Sequence, residues 1–465
     1  MTERNEMLGN KSIGRLLMEL SIPATIGMVV QALYNLVDTI FVGQGVGIQG
    51  IAGVSVAFPI QMIVMSFSQM LGIGGASIIS RSLGAKDIKK AEKTVGNVFS
   101  LVFILSGLIT ILGVIYIEPL LKIFGATEDI MNHAIDYSSV ILWGTILFSF
   151  AMASGAIIRA EGNARIAMNT MLISAGMNII LDPILIFDTI PILNIPGLNM
   201  GTKGAALATV LAQATTVVYL IFYFIKGKAI IRLKIKNLIL EAKLIMEVIS
   251  IGFSSFTRSV AGSLVTIVIN NSLAIYGGSL SMAVYGVLHK LIMFTLMPMM
   301  GIVQGLQPII GFNFGAGKLE RVKEALKVGI KIATVFSTTG FLILMFFTNT
   351  MISIFNSDPE LIQMGSHALR VVVLILPLVG FQVVGSGYFQ AVGKATPALF
   401  LSMSRQLLLL IPLILILPKF FGLEGIWAAY PLADFLSVVI TFFVLTRDMK
   451  TLDKSIVLRQ NYNEV

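Results

Sequence analysis

The 465-residue chain contains no cysteine, only three histidines and few charged residues. Without cysteine there is neither a disulfide nor a thiolate metal site, and the scattered His133, His289 and His367 offer no metal-ligand spacing. Charged residues make up 12% of the chain, whereas soluble globular proteins average about 25%. Hydrophobic residues make up 56%, and the mean hydropathy is +0.90. This composition is typical of a protein embedded in lipid.

The same scarcity excludes several classes of function. No Ser/His/Asp or metal-ligand constellation is present, and Gly311–Lys318 lacks the spacing of a phosphate-binding loop. We therefore expect neither an enzyme nor a bound cofactor. Met1 to Lys11 is polar, and the apolar run after it is far too long for a cleavable signal peptide.

Twelve stretches are long and apolar enough to cross a membrane, which takes about 20 residues per helix. They predict an all-α polytopic membrane protein with six spans in each half of the chain. The spans lie at roughly 14–42, 51–80, 95–117, 134–158, 166–187, 204–225, 245–270, 281–309, 328–348, 366–391, 396–417 and 425–445.

The two halves repeat one another at a constant offset in residue number. Gly84-Ala85 corresponds to Gly315-Ala316, and Arg159–Ala164 corresponds to Gln390–Ala395, both at an offset of 231. Gly204 matches Gly425 at the smaller offset of 221, because the preceding loop is longer in the first half. Many membrane transporters consist of two such repeats. We therefore predict two pseudo-symmetric six-helix lobes, at 1–225 and 245–465, joined by a basic linker at 226–244.

The net charge of +9 is better explained by topology than by nucleic-acid binding. If the N-terminus is cytoplasmic, 27 of the 33 lysines and arginines fall in cytoplasmic segments or at their helix ends. Cytoplasmic loops of membrane proteins carry such an excess. Both termini are therefore predicted to lie in the cytoplasm, with a weaker contribution from attraction to anionic lipid.

Polar residues at one predicted depth indicate an ion site in the first six helices. At 1.5 Å per residue, Asp182 lies roughly 24 Å from the inner end of its helix, and Asp38 and Thr209 also fall in the outer half. Asn178 precedes Asp182 by one turn. Since neighbouring carboxylates in a low dielectric bind a proton or share a cation, we predict a site for H⁺, or alternatively Na⁺, at these four residues. The alternative is that both acids bond backbone near helix ends.

Further residues of the first predicted helix accompany this site. Gln31, Tyr34 and Asn35 precede Asp38, and Tyr34 shares a helix face with it. Pro23, about four turns earlier, interrupts the backbone hydrogen bonding and is a candidate hinge.

The second half carries a different set of charges. Arg258, Lys290 and Asp434 all come out near the predicted midplane of the membrane. Such a cluster fits either a substrate or gating site, or a structural ion pair in which Asp434 neutralises Arg258 or Lys290.

The chain resembles the multidrug and toxic compound extrusion (MATE) transporters, in their MepA-like and DinF-like prokaryotic branch. The resemblance rests on Gln31–Asp38, Arg159–Asn163, Asn178–Pro183, Gly204–Thr209 and Gly301–Pro308. It implies two six-helix lobes around a central cavity and export of organic cations against inward proton or sodium flux. The family's cation site falls on Asp38, Asn178, Asp182 and Thr209. Because Arg258 replaces the helix-seven acid of NorM-type members, the resemblance favours coupling through the first lobe.

We therefore expect a secondary antiporter of cationic amphipathic drugs in a prokaryotic plasma membrane. We expect it to be a monomer with small organic cations and membrane lipid as partners and without nucleic acid. One alternative is a flippase of lipid-linked precursors, whose anionic substrates would suit Arg258 and Lys290. The other is a channel, which would need no paired acids.

Overall fold

The structure is a computed structural model, and it describes residues 3–190, 195–226, 229–355 and 358–463. Within these ranges the chain is helical apart from turns, short connections and one isolated β-bridge between Thr189 and Pro196. The predicted all-α fold is confirmed.

The described part of the first half forms eight helices. Two of their starts are set by side chains that cap the backbone, since Asp87 accepts the N–H of Lys90 at 2.9 Å and Asn163 accepts that of Ile166 at 3.3 Å. The helices are α1 (Glu3–Asn10), α2 (Ile13–Gly45), α3 (Ile48–Gly84), α4 (Ile88–Ile115), α5 (Ile117–Ile123), α6 (Glu128–Ala160), α7 (Ala164–Ile186) and α8 (Gly201–Ile225).

The described part of the second half continues this pattern with ten further helices. A π-helical turn at Ser404–Leu410 separates two of them. The helices are α9 (Ala242–Tyr276), α10 (Gly278–Gly315), α11 (Leu319–Phe346), α12 (Thr348–Ser353), α13 (Pro359–Val372), α14 (Leu376–Ala391), α15 (Ala395–Met403), α16 (Ile411–Ile416), α17 (Pro418–Phe421) and α18 (Leu423–Asn463).

The number of membrane spans depends on one bent helix. Among the described residues, 11 helices or continuous helix groups are long and apolar enough to cross a membrane, and there are 12 spans if α13 and α14 count as one. These two helices meet at an angle of 51°. Pro377 lies at the start of α14, where it cannot donate the N–H that would continue α13. The span predicted at 366–391 is therefore present as a broken helix.

Backbone geometry repeats with the sequence. Left-handed turns at Gly47 and Gly162 recur at Gly278 and Gly393, so both pairs share the sequence offset of 231. Gly84 and Gly315, which share the same offset, are the last residues of α3 and α10. The two halves of the chain are therefore structural repeats, as predicted.

The smaller offset of 221 between Gly204 and Gly425 also has a structural basis. Gly204 in α8 and Gly425 in α18 each face a carbonyl near the end of the preceding span. A Cβ atom would lie 2.4 Å from the Leu185 oxygen in the first case and 2.6 Å from the Leu417 oxygen in the second. Only glycine permits this close approach, so the matched glycines mark equivalent packing positions.

The described residues group into two compact units. The N-terminal unit comprises Ile26–Gly252, and the C-terminal unit comprises Glu3–Thr25 together with the residues from Phe253 on. The early residues join the C-terminal unit partly because Asn313 donates to the Leu8 carbonyl at 3.0 Å and Lys318 to the Gly9 carbonyl at 2.8 Å. The lobe limits predicted from sequence, 1–225 and 245–465, stay a prediction.

Each unit has its own buried apolar core. In the N-terminal unit, one cluster includes Val42 and Ala206 and another includes Leu121 and Leu142. In the C-terminal unit, a large cluster surrounds the buried Trp427. Many leucine, isoleucine and phenylalanine side chains on the long helices are instead exposed. These exposed apolar side chains form the surface that hydrocarbon covers in a membrane protein.

Several described residues of the predicted basic linker hydrogen-bond to α4 and to Glu161 of the N-terminal unit. Both carboxylate oxygens of Glu161 accept backbone N–H groups, from Ile230 at 3.2 Å and from Ile231 at 3.1 Å. Asn97 of α4 donates to the Ile239 carbonyl at 3.2 Å. These bonds satisfy linker backbone groups that have no helical partner.

Candidate functional site

Two acidic side chains that are far apart in sequence meet in the N-terminal unit. Asp38 lies in α2 and Asp182 in α7, and their side chains are in hydrogen-bond contact. Asp38 is 9% exposed, and Asp182 is completely buried. Counting residues along the helices predicted that these two carboxyl groups lie at the same depth in the membrane. The structure shows that they are also in contact.

Asn178 links Asp182 to Thr209, the fourth predicted member. The amide of Asn178 donates to Asp182 Oδ1 at 3.2 Å and lies 3.4 Å from Thr209 Oγ1. Asn178 and Asp182 are four residues apart and therefore on one face of α7. The amide thus connects α7 with α8, and all four predicted residues belong to one contiguous cluster.

Oxygen atoms in this cluster lack donors. Asp38 Oδ1, Asn178 Oδ1 and Asp182 Oδ2 are buried and accept no hydrogen bond from the described residues. A buried acceptor without a partner is costly, and bare carboxylates in contact also repel one another. The arrangement of the protein atoms calls for a positive charge at the carboxyl pair, which either a proton or a cation would supply.

Two tyrosines lie beside the carboxyl pair. The phenol groups of Tyr34 in α2 and Tyr137 in α6 are close enough to Asp38 and Asp182 to interact electrostatically with both. Gln61 of α3 donates to the Tyr137 hydroxyl at 2.9 Å. The structure therefore extends the cluster into two helices that sequence reasoning did not include.

Gln61 and Tyr137 could have been found by the depth arithmetic that selected Asp38. Both are polar residues inside predicted spans. Of the supporting residues named from sequence, Gln31 is half-buried and Asn35 is exposed. Across the described ranges, no hydrogen bond joins either of them to the carboxyl pair.

The candidate hinge lies close to the boundary between the units. Pro23 is inside α2, and the chain passes from one unit to the other between Thr25 and Ile26. Proline removes one hydrogen bond from this stretch of helix. The position suits a hinge, which stays a prediction.

The structure corrects the predicted charge pairing in the C-terminal unit. Asp434 of α18 pairs with Arg405, in the π-helical turn, and not with Arg258 or Lys290. Arg258 is half-buried and Lys290 is exposed. Arg405 lies about ten residues into its span, roughly 15 Å from the helix start. At that depth a carboxylate partner stabilises its charge.

A small polar network surrounds this ion pair. Tyr285 of α10 hydrogen-bonds Tyr430 of α18 and Thr266 of α9, and Tyr430 lies close to both charges. Tyr430 occupies the position that Thr209 has in the first repeat, at the same offset as Gly204 and Gly425. The second repeat thus has an internally neutralised cluster where the first has a carboxyl pair.

Among the described residues, no group of three or more histidine, cysteine, aspartate or glutamate side chains could hold a metal ion. Any cation at Asp38 and Asp182 would depend on amide, hydroxyl or water oxygens for its remaining ligands.

The repeated helical fold defines a polytopic membrane protein. The chain matches the MatE family profile over residues 23–184 and 251–416, more than half of its length, and therefore belongs to the MATE multidrug transporter family. Its family makes it a transporter and not an enzyme.

The relatives cover nearly the whole chain. The multidrug export protein MepA of Staphylococcus haemolyticus (strain JCSC1435) is 28% identical over 447 residues, which is 96% of either chain. The structure of the MATE multidrug transporter DinF-BH in complex with rhodamine 6G is 44% identical, with a TM-score of 0.87, and the match covers 96% of this chain and 98% of that one.

A further structure, of a MATE protein in complex with MaD3S, is 27% identical with a TM-score of 0.90. The match covers 98% of this chain and all of the other. These similarities establish the fold and the family over nearly the full length of the chain.

Proposed function

We propose that the protein is a secondary antiporter that exports cationic amphipathic drugs in exchange for protons or sodium ions. The observation that carries the proposal is the contact between Asp38 and Asp182, with buried oxygens that lack donors. Similarity to MepA, a multidrug export protein, and to DinF-BH, whose structure contains rhodamine 6G, supports the drug class.

The carboxyl pair supplies a physical basis for exchange. A proton or Na⁺ at Asp38 and Asp182 lowers the negative charge that would attract an organic cation. Conversely, a bound organic cation favours release of the inorganic one. Because coupling between two binding events is reciprocal, competition for this charge links outward drug movement to inward ion movement.

The two coupling ions place different demands on the cluster. A proton needs only the contact between the two carboxyl groups, because the protonated group donates to the other. Sodium needs several oxygens, and here they would come from Asp38, Asn178, Asp182 and Thr209. The amide of Asn178 already donates towards Asp182 and Thr209. Its free carbonyl oxygen, Oδ1, would have to face the ion.

The test is transport by the purified protein in liposomes. Uptake of a fluorescent cation such as rhodamine 6G is measured under a pH gradient without sodium and, separately, under a sodium gradient at equal pH. Antiport predicts uptake driven by one gradient and ion movement in the opposite direction when dye is added. Equal dye flux with and without either gradient would overturn the proposal.

The resemblance to MepA supports a multi-pass protein of a bacterial plasma membrane, and we propose that both termini are cytoplasmic. The cysteine-free chain suits a direct test. Single cysteines replacing Lys236 in the linker and Lys419 in α17 are exposed to a membrane-impermeant maleimide in intact cells. The proposed topology predicts labelling at position 419 only, and labelling at position 236 would reverse the orientation.

We further propose that the C-terminal cluster contributes to substrate binding or gating through Asp434. Because Asp434 already has Arg405 as a partner, an organic cation would have to compete with an internal guanidinium there. Arg258 and Lys290 have no acidic partner in the described ranges, and they remain the residues that would favour an anionic substrate. Binding of a matched pair of cationic and anionic dyes to Lys290→Met separates these cases.

A further inference from the structure

Helix α13 changes character along one face. Gln363, Ser366, His367 and Arg370 make its early turns polar, whereas Val371 and the following Leu374 are apolar. Their spacing of three or four residues places them along a continuous stripe. A polar-to-apolar change of this kind along a membrane helix is typical of the boundary between headgroups and hydrocarbon.

Two adjoining cavities lie along this stripe. One, of about 540 Å³, is lined by polar side chains that include Ser366, His367 and Arg370. The other, of about 550 Å³, is an apolar groove between Val371 and Leu374 on one side and Leu432 and Phe435 of α18 on the other. Both cavities belong to the C-terminal unit.

One contact lies between the two cavities. His367 Nε2 is 2.8 Å from Glu424 Oε2, with His367 lining the polar cavity and Glu424 lining the apolar groove. The cavities are therefore adjacent parts of one surface depression, with a polar end and an apolar end.

The polar end has unused binding capacity for an anion. Ser366 is 6% exposed, and its hydroxyl forms no hydrogen bond with the described residues. Arg370 is exposed and has no ion-pair partner within the described ranges. An unpaired guanidinium beside a free hydroxyl matches the donors that a phosphate group requires.

The apolar end has the length of a lipid chain within one leaflet. Glu424, Ala428, Pro431 and Phe435 follow one face of α18, and the distance from the first to the last is roughly 16 Å at 1.5 Å per residue. Half of the hydrocarbon thickness of a bilayer is about 15 Å. The groove therefore matches an acyl chain whose headgroup lies near His367.

We propose that this depression binds one glycerophospholipid, with its phosphate on Arg370 and Ser366 and one acyl chain in the groove between α13 and α18. The broken connection between α13 and α14 forms one wall of the groove. A bound lipid would thus contact the bent helix where its direction changes. The predicted topology places this lipid in the outer leaflet.

Native mass spectrometry of the full-length protein in detergent tests the proposal. Phosphatidylglycerol is titrated against diacylglycerol with the same acyl chains, which lacks the phosphate. Retention of phosphatidylglycerol in preference to diacylglycerol supports the site. Equal retention of both would overturn it, because the phosphate would then make no contribution.

Two variants address the two ends of the site. Arg370→Gln should weaken phosphatidylglycerol binding about tenfold, the effect of losing one charge-assisted hydrogen bond. Ala428→Trp should fill the groove from an exposed position and lower retention similarly. Lys419→Gln and Ala283→Trp, exposed positions outside both cavities, are the matched controls.

The outcomes distinguish a specific phospholipid site from nonspecific attraction of lipid to surface cations. Unchanged melting temperatures with selective losses in Arg370→Gln and Ala428→Trp support the proposal. Equal losses in Lys419→Gln would show that any cation on this surface attracts lipid, and unchanged binding in Arg370→Gln would show that its guanidinium binds no headgroup. Either result would overturn the proposed site.

Discussion

The side chains of Asp38 in α2 and Asp182 in α7 are in hydrogen-bond contact, although both are acidic and buried. Two ionised carboxylates in contact repel strongly where the dielectric constant is low. The folded protein therefore favours a state in which one proton or cation is bound between the two carboxyl groups. A proton, a sodium ion or an organic cation could each supply this positive charge. Competition among them for the carboxyl pair would couple drug transport to ion transport.

Asp38→Asn should abolish coupled dye export while leaving folding intact. The substitution removes one negative charge but keeps the shape of the side chain. Export is measured in inverted vesicles with each gradient imposed separately, and melting temperature in detergent monitors folding. The matched control is Asp188→Asn, the same change at an exposed position. Normal export by a well-folded Asp38→Asn protein would remove Asp38 from the coupling mechanism.

Asp182→Asn should have the same effect as Asp38→Asn, and the double variant should transport no worse than either single variant. Residues that act as one site give non-additive losses. Initial rates of dye transport in the four proteins form a complete double-mutant cycle. Fully additive losses would indicate that the two acids act in separate steps.

Tyr137→Phe should reduce transport less than the carboxylate variants do. It removes the hydroxyl that accepts the Gln61 hydrogen bond at 2.9 Å, and a neutral hydrogen bond is worth about 1 kcal/mol, roughly fivefold in an equilibrium or rate. Tyr219→Phe in α8, a tyrosine outside this cluster, is the control. If Tyr137→Phe lost transport as completely as Asp38→Asn, the hydroxyl would have a direct part in ion transfer.

Pro23→Ala should slow turnover more than it weakens drug binding. Alanine restores the missing backbone N–H donor and a regular helix. The change lies close to Thr25 and Ile26, where the chain of α2 leaves one unit and enters the other. Equilibrium dye binding and initial transport rates are compared in the same preparation. Pro59→Ala, at another proline within a helix, controls for general stiffening. Equal rates in wild type and Pro23→Ala would leave Pro23 without a hinge role.

Asp434→Ala should destabilise the protein, because it leaves the Arg405 guanidinium without its carboxylate. Breaking a buried ion pair by removing one partner typically costs about 3–5 kcal/mol. Adding Arg405→Met should restore part of the melting temperature, whereas adding Lys290→Met should not. Rescue by Lys290→Met alone would support the pairing predicted from sequence and contradict the one in the structure.

Much of the fold follows from local properties of the sequence. A run of about 20 apolar residues must form a helix in lipid, since its backbone groups have no other partners there. The constant offset that relates Gly162 to Gly393 predicted the repeat, and both glycines adopt left-handed turns. The depth of Asp38, Asn178, Asp182 and Thr209 followed from counting residues along helices. For this reason the members of the carboxylate cluster could be named before the structure.

Contacts between helices required the tertiary structure. Long apolar helices in lipid have no single polar face, so their sequence does not specify how each one is rotated about its axis. Residue counting therefore gave the depth of Asp434, but the partners considered for an ion pair, Arg258 and Lys290, are not the one in the structure, which is Arg405. Counting residues could likewise have given the depth of Gln61 and Tyr137, but not that they lie beside the carboxyl pair. Sequence thus determined the helices, their repeat and the depth of the acids, whereas packing decided which side chains meet.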